Sequence, residues 1–192
     1  MPTLSDEDRS VLLKLARSSI AAVLFKGRKA ERPQSVSPAL QELRGCFVTL
    51  HKKGELRGCI GNIEPVKSLA CGVEENALHS AFKDPRFPPL TAHEFDEVEI
   101  EISVLSVPEP LSFEDGEDLK CQLKPGIHGV IISLGWLGAT FLPQVWEQLP
   151  DKVTFLEHLC LKAGMRPNAW KKADIQVKVY EAEFFFEKDS GR

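Results

Sequence analysis

The groups in this chain best suited to chemistry are a guanidinium and a thiol two residues apart, Arg57 and Cys59, in the run Glu55-Leu56-Arg57-Gly58-Cys59-Ile60-Gly61. A thiol is nucleophilic as its thiolate, a form that a neighbouring cation favours. In an extended strand the side chains at i and i+2 leave the same face, so Arg57 and Cys59 are expected to point the same way. Gly58 and Gly61 thin the backbone around them, which lets a ligand or another surface come close. The plainer reading of Cys59 is a small buried hydrophobe, as free cysteines generally are. Spacing alone does not separate the two readings.

The element that must hold these groups is a hairpin. Cys46-Phe47-Val48-Thr49-Leu50-His51 reads as a strand, Lys52-Lys53-Gly54 as a turn, and Glu55 to Ile60 as the returning strand. A three-residue loop with Gly54 in the left-handed position pairs His51 with Glu55 and Phe47 with Cys59. That register gathers Cys46, Val48, Leu50, Leu56, Gly58 and Ile60 on one face and Phe47, Thr49, His51, Glu55, Arg57 and Cys59 on the other. This is the segregation a half-buried hairpin needs. A two- or four-residue loop sets Cys46 opposite Cys59 and mixes Arg57 and Glu55 with Val48 and Leu50. The first register is therefore preferred, with Cys46 as a core thiol and Cys59 facing a cleft. It places His51 about 13 Å along the strand from Cys59, too far to serve as its base. His79 is a second candidate base.

Leu56-Arg57-Gly58-Cys59-Ile60-Gly61 resembles the signature of the AMMECR domain family. So do Gly45-Cys46-Phe47-Val48-Thr49-Leu50, Asn76-Ala77 with Ala81-Phe82, Asp84-Pro85-Arg86-Phe87, Ile100-Glu101-Ile102-Ser103-Val104-Leu105, Phe141-Leu142-Pro143-Gln144-Val145-Trp146-Glu147 and Lys162-Ala163-Gly164. The resemblance runs over nearly the whole chain, and residues 1–192 are read as a single AMMECR-type domain. It implies an α+β fold of mostly antiparallel sheets with flanking helices, in two lobes with a groove between them and the signature near that groove. The smaller lobe, carrying the hairpin, is expected over about residues 40–95 and the larger over the remainder. Prokaryotic members that the chain resembles, AmmeMemoRadiSam system protein A, are grouped with a Memo-like protein and a radical S-adenosylmethionine enzyme. These two are the implied partners. The family is defined by sequence and fold rather than by a reaction. The chain departs from its pattern at Leu134-Gly135-Trp136-Leu137-Gly138, where a more polar turn is expected.

Composition narrows the function classes. The 192 residues suit one compact domain or two small lobes, and a hydrophobic content of 43% is enough to fill a core. A net charge of -4 offers no general attraction to nucleic acid or anionic lipid; the basic run Lys26, Arg28, Lys29 and Arg32 reads as a solvated loop. Five cysteines, Cys46, Cys59, Cys71, Cys121 and Cys160, have neither disulfide-framework, zinc nor iron-sulfur spacing. No metal and no cofactor is expected. With no signal-peptide pattern and no apolar run of membrane-spanning length, the expected location is cytoplasmic, away from the membrane.

The remaining elements are ordinary packing units. Ser5-Asp6-Glu7-Asp8 matches a capping box opening a helix with Leu12, Leu13, Ala16, Ile20 and Leu24 on one face. A second helix is expected from Pro65, stopping at Asp84-Pro85. Val98, Ile100, Ile102 and Val104 alternate with Glu97, Glu99, Glu101 and Ser103, a strand whose glutamates are expected to be solvated. Gly129 to Ser133 and Thr140 to Leu142 read as strands, and Asp151 or Thr154 as the cap of a helix closed by Gly164. The segment from Ile175 to Phe186 changes phase and is expected to be one strand with a bulge or sharp bend near Tyr180.

The candidate ligand-binding residues are Thr49, Gly58, Gly61, Asn76, Arg86, Gln144 and Glu147, with Cys59 and Arg57 as candidate catalytic groups. Each has a structural alternative. Arg86 could anchor a tight loop rather than grip a carboxylate or phosphate, and Asn76 could hydrogen-bond the hairpin backbone. Two functions compete: an accessory component whose groove holds a ligand or peptide for the radical-enzyme system, and a cysteine-dependent enzyme with Cys59 as nucleophile. The first asks less of the residues, because no base, metal site or phosphate loop accompanies the thiol. A homodimer is compatible with either.

Overall fold

Hydrophobic alternation and capping lay down the elements around the hairpin as a computed structural model shows them; it describes residues 4–25 and 37–187. The basic run at 26–32 lies outside the described residues. Helix α1 (Asp6–Leu24) starts at the expected capping box, with the Ser5 side chain accepting from the Asp8 N–H and the Asp8 carboxylate accepting from the Ser5 N–H. The short α2 (Pro38–Gln41) leads into β1 (Cys46–Lys52) and β2 (Glu55–Asn62). Helix α3 (Leu69–Phe82) is capped by Ser68, which accepts from the Cys71 N–H, so Pro65 lies before the helix rather than opening it. Strand β3 (Val98–Leu105) and the distant β8 (Ala182–Phe186) complete a four-stranded sheet in the order β2-β1-β3-β8.

The second sheet has the order β4-β7-β5-β6, from β4 (Glu109–Pro110), β5 (Gly129–Leu134), β6 (Leu137–Phe141) and β7 (Gln176–Tyr180). With it go α4 (Gly116–Gln122), α5 (Val145–Gln148) and α6 (Lys152–Lys162). Helix α6 is capped by Asp151 and ends with Gly164 at a φ of 75°, the left-handed closure expected there. The pairs β1–β2, β1–β3, β4–β7, β5–β6 and β5–β7 are all antiparallel, and the fold is α+β. The turn Gly135-Trp136 between β5 and β6 leaves Trp136 96% exposed at the hairpin tip, where a polar residue was expected.

Two separate cores sit behind these sheets. One joins Leu12, Ile20, Val48, Leu50, Val73, Ile100, Ile102 and Phe185; the other joins Val130, Ile132, Trp146, Phe155, Leu159, Trp170 and Val177. The chain accordingly divides into two compact units, Met1–Val107 with Glu183–Arg192, and Pro108–Ala182. The hairpin's unit thus reaches well beyond about 40–95, because β1 is an inner strand that pairs with β3 over Cys46 to Lys52. The phase change near Tyr180 is not a bend in one strand. Glu181 separates β7, in the second sheet, from β8, in the first. Among the described residues no helix is long and apolar enough to cross a membrane.

Candidate functional site

The hairpin turn decides where the signature side chains go. Lys53 and Gly54 both take positive φ, 53° and 83°, so the loop has two residues and the twist of a type I′ turn. Lys52 faces Glu55 and His51 faces Leu56; then the register slips, Leu50 faces Gly58, and Arg57 is left as the extra residue of a bulge. Beyond the bulge Thr49 faces Cys59, Val48 faces Ile60 and Phe47 faces Gly61. The two-residue loop set aside above is therefore the one that forms, and no pair of the preferred three-residue register is present, although beyond the bulge the strands return to its parity. The expected pairing of Phe47 with Cys59 is displaced by two residues, which keeps the expected faces for Cys46, Val48, Leu50, Gly58 and Ile60. Leu56, expected on the apolar face, is on the His51 side and 42% exposed.

The bulge also parts Arg57 from Cys59. Arg57 turns to the side of Lys52 and grips Glu94 with two parallel bonds, Nε to Oε1 at 3.0 Å and Nη2 to Oε2 at 3.1 Å. Lys52 shares Glu94 at 3.2 Å, Thr91 gives it N–H and hydroxyl donors, and the Phe87 ring lies 5.8 Å from the Arg57 guanidinium carbon. These donors, Arg57 foremost, pull the Glu94 carboxyl down to about 2. Arg57 is buried and its Nη1 meets no partner; the cation that foremost acts on the Cys59 thiol is Arg86.

Cys59 is instead held through its backbone. Strand β2 is a sheet edge, whose outward N–H and C=O groups need partners. The Cys59 N–H donates to Asp84 Oδ2 at 2.8 Å, and Arg86 Nη2 donates to the Cys59 carbonyl at 3.1 Å. Asp84 and Arg86 are themselves joined, Nε to Oδ1 at 2.9 Å and Nη2 to Oδ2 at 2.7 Å. The pair clasps one residue of the edge as a neighbouring strand would. Arg86 holds the Asp84 carboxyl well below the usual carboxylate range. We expect Asp84→Ala to cost about 2–3 kcal/mol, because it orphans the Cys59 N–H and removes the buried acceptor of Arg86. Urea unfolding checks the cost, and faster hydrogen exchange at the Cys59 amide locates it.

On the opposite side from α3, Cys59 lies in a row with Thr49 and Glu101, since Thr49 faces Cys59 on β2 and Glu101 on β3. Thr49 Oγ1 donates to Cys59 Sγ at 3.3 Å, and His51 Nε2 is 2.8 Å from Glu101 Oε2. An ionised carboxylate can only accept, so that ring nitrogen carries the proton. The slipped register makes His51 a diagonal neighbour of Cys59, about 7–8 Å away rather than about 13 Å. Burial pushes the Cys59 thiol up, partly opposed by the Thr49 hydrogen bond and Arg86. Burial raises the core thiol Cys46 to about 11. Glu101 is not the solvated group its alternation suggested: its side chain is 12% exposed.

The other candidates separate. Asn76 is buried on α3 and gives its amide to the Cys46 carbonyl and Asn62 Oδ1, both at 3.0 Å, so it braces the hairpin from the helix side. Gly61 makes room for the Phe47 ring, which a Cβ would meet at 2.3 Å. His79 lies on α3 beside Lys83 and not on the Cys59 side. Gln144 and Glu147 belong to the second unit, where Trp146 stacks on Phe155 at 3.6 Å and donates to the His128 carbonyl. Sequence reading missed Glu94 as the partner of Arg57. The surplus of carboxylates just before β3 was the available signal. Among the described residues no group of three or more His, Cys, Asp and Glu side chains could hold a metal ion.

The AMMECR1 family model matches residues 13–185. A protein of Methanothermobacter thermautotrophicus is 39% identical over 187 residues, 97% of either chain. One of Thermofilum pendens is 39% identical over 198 residues, covering 97% of this chain and 93% of its own. The crystal structure of an uncharacterized protein from Pyrococcus horikoshii matches with a TM-score of 0.88 and 36% identity, over 96% of this chain and 94% of that one. The chain belongs to the AMMECR1 family.

Proposed function

We propose that the chain is a ligand- or peptide-binding accessory component of a radical S-adenosylmethionine-linked system, of the AmmeMemoRadiSam type, working in the cytoplasm beside a Memo-like protein and a radical enzyme. The partners come from the family resemblance. The preference for binding over catalysis rests on one observation: the thiol that would be the nucleophile is pushed up by burial, while the signature arginine is committed to Glu94 on the other side of the strand. A reactive cysteine requires the reverse, a depressed pKa beside an available cation.

Alkylation of each cysteine in the native protein, followed across pH by mass spectrometry, tests this. Cys59 should react more slowly at pH 7 than the exposed Cys71 and Cys121, with an apparent pKa above the ~8.5 of a free thiol. Direct mixing with the purified Memo-like protein and radical enzyme tests the assignment to the system; absence of a complex argues against it.

A second reading, a cysteine-dependent enzyme, is favoured by the Glu101-braced His51 that the bulged register brings near Cys59. In that case Cys59 would alkylate fastest of the five, and His51→Ala would abolish the advantage.

A further inference from the structure

The clasp on the open edge of β2 stops at Cys59, whose outward N–H and C=O are taken by Asp84 and Arg86. Outward backbone groups recur at every second residue of an edge strand. Gly61, which faces Phe47 as Cys59 faces Thr49, therefore also directs its N–H and C=O away from the sheet. No described residue bonds them, and Gly61 is only half-buried. Neither lysine nor proline guards the strand between Leu56 and Asn62. The Cys59 carbonyl and the Gly61 N–H are consecutive outward groups, so the guanidinium bound to the first lies beside the second. Arg86 engages Asp84 and that carbonyl through Nε and Nη2, which leaves Nη1. Its side chain is 53% exposed and that of Asp84 is 1% exposed, so the edge presents the arginine to solvent and not the aspartate.

We infer that this edge captures the C-terminus of an extended peptide, whose carboxylate bridges the Gly61 N–H and Arg86 Nη1 while its last amide N–H donates to the Gly61 carbonyl. The inference rests on the peptide-binding reading above and names the part of the peptide that is recognised. Strand addition at an exposed edge supplies the backbone pair. An antiparallel strand sets its C=O against the Gly61 N–H, on the side of Arg86, so a chain end there brings negative charge to a cation. A parallel strand would bring an N-terminal ammonium to the same cation. The clasp makes the occupant a chain end, because a strand running on past Gly61 needs the Cys59 groups that Asp84 and Arg86 hold. A carboxylate bonded to a guanidinium and a backbone N–H is held more strongly than a neutral acceptor. Gly61 also leaves room beside the Phe47 ring, which a Cβ would meet at 2.3 Å. Directly opposed residues share a face, so the last side chain of the peptide lies over Gly61 on the Phe47 side, where an apolar one packs on the ring.

The test titrates the full-length protein with acetyl-Thr-Val-Leu as the free acid, as its C-terminal amide, and as the free acid with the leucine nitrogen methylated, following the amide resonances of Cys59 and Gly61. The free acid should bind with a dissociation constant of about 1 mM or below, at least about tenfold more tightly than the amide. Methylation removes the donor to the Gly61 carbonyl and should cost about fivefold. Arg86→Gln should bring acid and amide to the same affinity; the three ligands are compared on the parent protein, so the result stands even where that variant is unstable. Equal affinities of acid and amide, or no loss on methylation, overturns the inference. If the peptides bind but leave the Gly61 resonance unmoved, the inference falls while peptide binding stands. If none of the three shifts any resonance, the inference falls, and failure of the Memo-like protein and radical enzyme to form a complex would then remove the accessory reading as well.

Discussion

Removing Glu94 should be among the most damaging single changes in the first unit: Glu94→Ala is expected to cost about 3–5 kcal/mol, because it strands the Arg57 charge in a buried position. The Arg57 side chain is only 10% exposed, and its Nη1 already lacks a partner, so losing both bonds to Glu94 leaves a guanidinium with no acceptor. Lys52, 29% exposed and also held by Glu97, can turn to water. Replacing both members of the pair with apolar residues, Arg57→Met with Glu94→Leu, should recover much of the loss, since desolvating a buried ion pair consumes most of its Coulombic gain. Urea unfolding of the single and double variants gives the coupling directly. If the double variant is as unstable as Glu94→Ala, the pair shapes the bulge rather than merely neutralising itself.

The same pair predicts an acid dependence. The Arg57 guanidinium and its other donors hold the Glu94 carboxyl down to about 2 in the folded chain, against an ordinary value of 4.5. Its folded pKa is depressed, so its contribution is fully present above pH about 4.5 and is lost as pH falls towards about 2. Allowing for the screening of a partly exposed carboxylate, stability should drop by about 1–2 kcal/mol between pH 6 and pH 3. Asp84, depressed by Arg86, adds to the fall in the same direction. Glu94→Gln should show a shallower fall than the parent over that interval.

Gly58→Ala carries the second large effect. An added Cβ would stand 2.2 Å from the Ser80 carbonyl oxygen of α3. The obstacle is helix backbone, so the helix must shift off the hairpin, at about 3 kcal/mol or somewhat more. For a chain of this size that lowers Tm by roughly 6–12 °C. Gly54→Ala is the matched control: its φ of 83° is strained for alanine but nothing stands within 4 Å, and about 1–2 kcal/mol is expected. Equal effects in the two variants would mean that α3 yields freely, and that Gly58 is present for reasons other than close packing.

How far these residues could be read from the chain depended on the range of the forces that place them. The capping box at Ser5, the α6 cap at Asp151, the left-handed Gly164 and the alternation of β1 and β3 are local consequences of hydrogen bonding and hydrophobic period, and they were legible. So was the family, whose short motifs survive nearly the full length of the chain. The side of Cys46 and Cys59 was legible too, because keeping polar side chains away from Val48 and Leu50 selects one parity of the register. The loop length was not legible. It required Lys53 to take a positive φ, rare for a side-chain-bearing residue, and the bulge that restored the parity lies at a residue that alternation assigns to the other side. Tertiary structure alone decided the fate of the two chemical groups. Arg57 is turned to a carboxylate 37 residues away and the Cys59 backbone is clasped from 25 residues away. Contacts between segments so far apart leave no periodic trace in either one, and they form only once α3 has brought the loops after it against the open edge of β2.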